Sequence, residues 1–374
     1  MPVRVVVTFC NQRSTPRLAV CAVDLETGDR AWLDVPDDFA KGAAGIAPAG
    51  DGLLVACQDG GVVAYDAELK PRATIPTPSA GNLHSMLYQA REHALYVTSA
   101  HNDTLFRYEL DDSATALVGH DAVFCADPSR RGQDRYHLNS VVEWRGELYV
   151  TMFGVATGEA HTTRRNGAVV RVRDGEAIAT GLYHPHTLFV LNDELFVIES
   201  QAHAVRRVAG GEPATWTVPY GYPRGVVATS DRTIWVGVSA MRRESNSLGT
   251  PNVIASRSPL DFRTRLVELD LATGDIGRTI DLTLLAGEIF DIHPLPSGAP
   301  FTPDEEGGLP QRVEALEASF GELRAANRVL EKERERAPWA RVRQLSRRVR
   351  RRIEGAVVAR RAQSRRRDDG EAPR

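Results

Sequence analysis

The chain has 374 residues, 42% of them apolar and 25% charged, with a formal net charge of −3. That profile fits a soluble globular protein, long enough for one large domain and an appendage. Its longest apolar runs are strand-sized, well short of the ~20 residues a membrane-spanning helix needs. The first residues, Val3-Arg4-Val5-Val6-Val7, read as a strand and show none of the zones of a signal peptide, so a cytoplasmic location is expected.

The four cysteines (Cys10, Cys21, Cys57 and Cys125) show neither metal-ligand spacing nor a disulfide framework, and read as small buried hydrophobes. Charge is unevenly spread. Residues 337–374 hold thirteen arginines against four acidic residues, a net +9, which leaves −12 on residues 1–336. An acidic body is a poor partner for nucleic acid, whereas the basic end should seek an anionic surface.

Taken in chain order, the predicted elements repeat. Val5-Val6-Val7 is a short apolar strand. The same strand, led by a turn, returns at Asp51-Gly52-Leu53-Leu54-Val55, Glu92-His93-Ala94-Leu95-Tyr96-Val97 and Arg145-Gly146-Glu147-Leu148-Tyr149-Val150. It appears again at Asn192-Asp193-Glu194-Leu195-Phe196-Val197 and Asp231-Arg232-Thr233-Ile234-Trp235-Val236. The central residues 6, 54, 96, 149, 196 and 235 lie 48, 42, 53, 47 and 39 apart, the period of a propeller blade.

An alternating strand follows each one, such as Val62-Val63-Ala64-Tyr65 or Val205-Arg206-Arg207-Val208. Period-2 alternation predicts one buried and one wetter face. Turns such as Leu25-Glu26-Thr27-Gly28 place Gly where φ > 0 is needed. A further strand precedes each phrase, as in Ser85-Met86-Leu87-Tyr88 and Ser140-Val141-Val142-Glu143. The first unit lacks that strand, and Glu288-Ile289-Phe290-Asp291-Ile292-His293 is the surplus one that completes it. The expected fold is therefore all-β: a six-bladed β-propeller over residues 1–298, closed by its C-terminal strand joining the first blade.

The innermost strands of a propeller line its channel. The residues just before them are His84, Asn139, His186, Arg224 and Asp291, with Asn82, His137, His184 and Tyr222 two positions earlier and Glu288 three before Asp291. The second unit, Lys41-Gly42-Ala43-Ala44-Gly45-Ile46, offers small residues instead. The long polar loops 155–166 and 241–262 open on the same face, where function usually concentrates. His84, Asn139, His186 and Asp291 suit one divalent cation (Ca, Mg or Zn). Arg224 suits a carboxylate or phosphate, and His137 or His184 a general acid or base. Each of these side chains could equally be bonding backbone and water.

The run His184-Pro185-His186-Thr187-Leu188, then Asp193-Glu194-Leu195-Phe196-Val197 and Ala204-Val205-Arg206-Arg207-Val208, resembles the repeat of NHL-type propellers. The same style is seen in gluconolactonase-like and virginiamycin B lyase-like enzymes. With Tyr222-Pro223-Arg224-Gly225 and Glu288-Ile289-Phe290-Asp291-Ile292, the chain looks closest to an uncharacterised bacterial propeller family. The lactonase likeness implies a metal held by an early Glu, two Asn and an Asp. Asn139 and Asp291 match one Asn and the Asp, no early Glu stands out, and His84 and His186 depart from the pattern. The lyase likeness implies a His base at His184 or His186 beside a magnesium site.

Residues 299–310 read as a linker. Val313, Leu316, Phe320, Leu323, Asn327 and Leu330 follow a/d spacing, so a short coiled-coil helix over 311–337 is expected to form a homodimer through 313–330. The alternative is a helix packing its stripe on the propeller. Pro338 ends it. Residues 338–362 form a basic amphipathic helix, suited to an anionic membrane surface through 339–361 at the inner membrane face. An acidic partner, nucleic acid or plain solvation of that helix are the alternatives. Residues 363–374 read as disordered.

Two functions remain open at this point. One is a hydrolase or lyase acting on a small polar or anionic molecule, metal-assisted. The other is a non-catalytic binding module for a glycan or protein, dimerised and surface-tethered by its tail.

Overall fold

The computed structural model describes residues 3–11, 18–36, 41–130, 132–154, 165–219, 221–239, 263–283 and 288–303. The expectations for residues 311–374 and for the loops 155–164 and 240–262 lie outside these residues.

The described residues form twenty-four strands. In chain order they are β1 (Arg4–Cys10), β2 (Val20–Asp24), β3 (Arg30–Trp32), β4 (Ala43–Ala49), β5 (Gly52–Cys57), β6 (Val62–Tyr65), β7 (Pro71–Ile75) and β8 (Leu83–Gln89). Next come β9 (Ala94–Ser99), β10 (Thr104–Leu110), β11 (Leu117–Cys125), β12 (Leu138–Trp144), β13 (Glu147–Met152), β14 (Gly167–Arg171), β15 (Ala177–Leu182) and β16 (Pro185–Leu191). The last are β17 (Glu194–Glu199), β18 (Ala204–Ala209), β19 (Ala214–Thr217), β20 (Tyr222–Ala228), β21 (Thr233–Ser239), β22 (Arg265–Asp270), β23 (Ile276–Asp281) and β24 (Glu288–Pro294). No helix among the described residues is long and apolar enough to cross a membrane.

These strands make six four-stranded antiparallel sheets, five of them from consecutive strands. The sixth has the order β24-β1-β2-β3, so the C-terminal strand completes the first blade. The fold is a closed six-bladed β-propeller, as the missing first strand and the surplus last one predicted. Closure pairs the inner edge of β1, which would otherwise be open.

The core lies between blades. Six apolar clusters fill the six clefts. Val5, Val7, Trp235, Leu266 and Ile289 bind the last blade to the first; Phe196, Ile198, Val236 and Val238 bind the fifth to the sixth. The expected wetter face is kept in part by β10, β18 and β22 but is absent from four other strands. β2, β5, β6 and β9 are buried along their whole length, because each side of a blade packs on a neighbour. Alternation there sends successive side chains into two different clefts.

Candidate functional site at the channel mouth

All six innermost strands carry a β-bulge at the same place. Register slips between Ala43 and Ile46, Leu83 and Met86, Leu138 and Val141, Pro185 and Leu188, and Arg224 and Val226, and β24 slips opposite Thr8 and Phe9. A bulge adds one residue and re-aims a side chain. Aligning the bulges makes Phe290, Ala44, His84, Asn139, His186 and Arg224 equivalent. Three bonds between blades mark the same rung. Thr8 Oγ1 donates to Ala44 O at 2.6 Å, Thr98 Oγ1 to Asn139 O at 2.8 Å and Thr151 Oγ1 to His186 O at 3.2 Å.

Two corrections follow. The ring residues lie inside the innermost strands, not just before them. Asp291 is one residue past the ring, and Phe290 takes its place. The upper tier, two residues earlier, then becomes uniform: Gly42, Asn82, His137, His184, Tyr222 and Glu288. The odd three-residue spacing of Glu288 was the trace of that shift.

The chain enters several of these strands through a left-handed residue, with φ of 51° at Asn82, 52° at His137 and His184, and 109° at Gly42. Asn and His are among the non-glycine residues that tolerate this region best. The carbonyl of each such residue lies near the ring residue two positions on. His84 Nδ1 donates to Asn82 O at 2.9 Å and His186 Nδ1 to His184 O at 3.2 Å. Ser200 Oγ donates to Pro223 O at 2.6 Å and accepts from His186 Nδ1 at 2.7 Å. A carbonyl can only accept, so both rings carry their proton on Nδ1, a tautomer assigned from the hydrogen-bond network. His137 Nδ1 likewise donates to Asp134 Oδ1 at 2.8 Å. His84 and His186 thus present Nε2 as a lone pair. His184 differs: its Nδ1 lies 2.9 Å from the Tyr222 hydroxyl, which is also 3.5 Å from His186 Nδ1.

Burial holds His84 down to about 3, with His137 adding to it. Burial also holds His186 well below its ordinary value, helped by Arg224. Both are neutral at physiological pH. Aromatic contacts link the tiers into one wall. Centroid distances are 5.2 Å for Phe290 to His84, 5.0 Å for His84 to His137 and 4.5 Å for His137 to Phe153. Phe153 then stacks on His184 at 4.4 Å and meets His186 edge-on at 4.9 Å. The Arg224 guanidinium lies 4.8 Å over the Tyr222 ring.

Arg224 Nη1 is paired with Glu288 Oε2 at 3.0 Å. The same oxygen accepts from Asn11 Nδ2 at 3.3 Å and from the Cys10 thiol at 3.6 Å. Among the described residues, Arg224 Nε and Asn139 Nδ2 are buried without a partner, and Asn139 is only 2% exposed. A buried polar group in that state needs a ligand or water to complete it.

Asp291 serves the fold. Its Oδ2 accepts from Ile46 N at 3.0 Å and its Oδ1 from Ile292 N at 2.9 Å. Ser85, Ser140 and Thr187, its equivalents, accept from Val141 N, Leu188 N and Gly225 N at 3.4, 2.9 and 3.0 Å. These bonds tie innermost strands together around the channel. Although partly accessible, the Asp291 carboxyl is hemmed in by protein, and burial pushes it up to about 7 against the pull of its two N–H donors.

Of the four side chains expected to share a cation, Asp291 is engaged through both oxygens with backbone N–H groups. Among the described residues no three His, Cys, Asp or Glu side chains converge as a metal site. Phe153 stands between His137 and His186, and Asp291 is turned to backbone. The loop histidines have other tasks: His203 Nδ1 bonds Gly221 O, and His101 packs on Gly81. Sequence reading missed Phe153, Phe290, Asp134 and Ser200. Of these, only Asp134 left a usable signal, a carboxylate three residues before a histidine.

Residues 63–301 match the model of a family described as a domain of unknown function, DUF4915. The chain belongs to the DUF4915 family. No curated protein matches it. A protein of unknown function from Bacteroides caccae is similar in structure at 10% identity, TM-score 0.56, over 79% of this chain and 99% of that one. A chain of the nidogen/laminin complex is similar at 13% identity, TM-score 0.54, over 78% and 98%. The periplasmic gluconolactonase PpgL of Pseudomonas aeruginosa aligns at 13% identity with a TM-score of 0.49, over 78% and 99%. At such identities the likeness is one of fold. The chemistry of a DUF4915 site has to be argued from its own residues.

Proposed function

We propose that the channel mouth binds a small polar molecule and that His137 acts on it as a general base, making this DUF4915 chain a hydrolase or lyase. One observation carries the reading, the 2.8 Å bond from His137 Nδ1 to Asp134. The carboxylate fixes the tautomer, leaves Nε2 as proton acceptor, and would stabilise the imidazolium that forms. The orphaned Asn139 and Arg224 N–H groups support it, since both need an acceptor that a bound molecule would supply. Tyr222, bonded to His184, is the nearest group able to return a proton.

The test is turnover of esters and lactones by wild type and His137→Gln. A fall in kcat of about 100-fold or more, with KM little changed, is expected for a lost general base. Equal turnover by a folded His137→Gln protein contradicts the proposal. So does binding without any turnover by wild type, which would leave a non-catalytic binding module.

A further inference from the structure

Among the described residues, two cations at the mouth are paired with carboxylates. Arg224 is answered by Glu288 at 3.0 Å, and Lys41 by Asp59 at 2.8 Å. His84 and His186 are held neutral by burial. What is left unsatisfied is a set of uncharged hydrogen-bonding positions. Asn139 Nδ2 and Arg224 Nε are donors without acceptors. The Nε2 atoms of His84 and His186 are acceptors, since their Nδ1 protons are spoken for. Phe153, Phe290 and Tyr222 supply apolar ring surface beside them.

From these positions we infer that Glu288 sets the selectivity of the mouth, and that the ligand is an uncharged hydroxyl-bearing ring. The inference deepens the reading of the mouth as a small-molecule site and rests on it. An entering carboxylate or phosphate would lose its hydration, yet the Arg224 guanidinium is already neutralised by a carboxylate accepting three donors on one oxygen. Like-charge repulsion from Glu288 adds to that loss. A hydroxyl suits the site on both counts. It accepts from Asn139 or Arg224 and donates to an imidazole Nε2, so one group satisfies two positions. Aromatic rings beside planar polar side chains match the C–H and O–H faces of such a ring. The sequence placed Arg224 as an anion receptor; its pairing with Glu288 is what reverses that expectation.

The experiment is titration calorimetry on the full chain with methyl glucoside and myo-inositol, against glucuronate and glucose 6-phosphate as charged counterparts. Wild type is expected to bind a neutral compound at least tenfold more tightly than the matched anion. Glu288→Gln, which keeps an acceptor for Arg224 and removes the charge, is expected to shift that ratio at least tenfold toward the anion. Tighter binding of the anion by wild type, a ratio unmoved in Glu288→Gln, or no binding of any of the four overturns the inference. Turnover plays no part in this test. A neutral ring that binds without reacting sinks the base role of His137 and keeps the ligand class; turnover of an anion lost in His137→Gln does the reverse.

Discussion

His84 and His186 resist protonation in the folded chain, and that makes acid stability a readout of the ring. Each has a folded pKa below its unfolded value of 6.5. Their contribution is full above the unfolded pKa and is lost progressively as pH falls from there to the folded pKa. Each proton involved is worth about 1.4 kcal/mol per pH unit. Asp291 has the opposite sign. Its folded pKa is raised to about 7 from 3.8, so its penalty is full above 7 and is relieved as pH falls toward 3.8. Between pH 6 and 4 three histidines, His293 among them, oppose the raised carboxyls of Asp291 and Asp103. Unfolding free energy from urea titrations should therefore fall by roughly 1 kcal/mol per pH unit of acidification in that range. In a His84→Gln, His186→Gln double variant the trend should flatten or reverse. An unchanged slope in the double variant would show that the two imidazoles are not buried neutral.

At the scale of the element, the bulge explains both what the sequence disclosed and what it concealed. Strand identity follows from apolar runs and turns, and β6 spans the very residues of the predicted strand Val62-Val63-Ala64-Tyr65. A bulge adds a residue without changing composition, so period-2 reasoning slips by one across it, which is why Asp291 was aligned in place of Phe290. Phe153 ends a strand and reads as core; only its packing between three imidazoles shows otherwise. The pairing of Arg224 with Glu288, 64 residues away, has no local signal at all. Where the ring of Ser, Thr and Asp links breaks, glycine lets the backbones meet. A Cβ on Gly45 would lie 2.6 Å from His84 O and 2.8 Å from Met86 N, both backbone atoms. Gly45→Ala should cost roughly 1–3 kcal/mol, as overpacking does, seen as a lower Tm and disturbed His84 resonances. A Tm equal to wild type would mean that the inner strands are not in the contact described.

For the whole molecule, closure is the feature on which the mouth depends, since β24 brings Phe290 and Glu288 to it. The last described residues past β24, up to residue 303, pack on the first two blades through Leu295, Ala299 and Phe301. A chain ending at residue 303 should therefore keep the wild-type Tm within a few degrees. A chain ending at residue 287 exposes the long edge of β1 and loses Ile289, Phe290 and Ile292 from the core, and should not fold cooperatively. Cooperative unfolding of the shorter chain would contradict closure by β24.

The central claim is a channel mouth lined by neutral imidazoles with Nε2 open to a ligand. Long-range proton–nitrogen correlation spectra of histidine-labelled protein between pH 5 and 8 test it most directly. The account predicts that two histidines, assigned to His84 and His186 by substitution, stay neutral with the proton on Nδ1 across that range, and that their Nε2 signals move when a ligand binds. Protonation of either ring near pH 6, or a proton on Nε2, would contradict it.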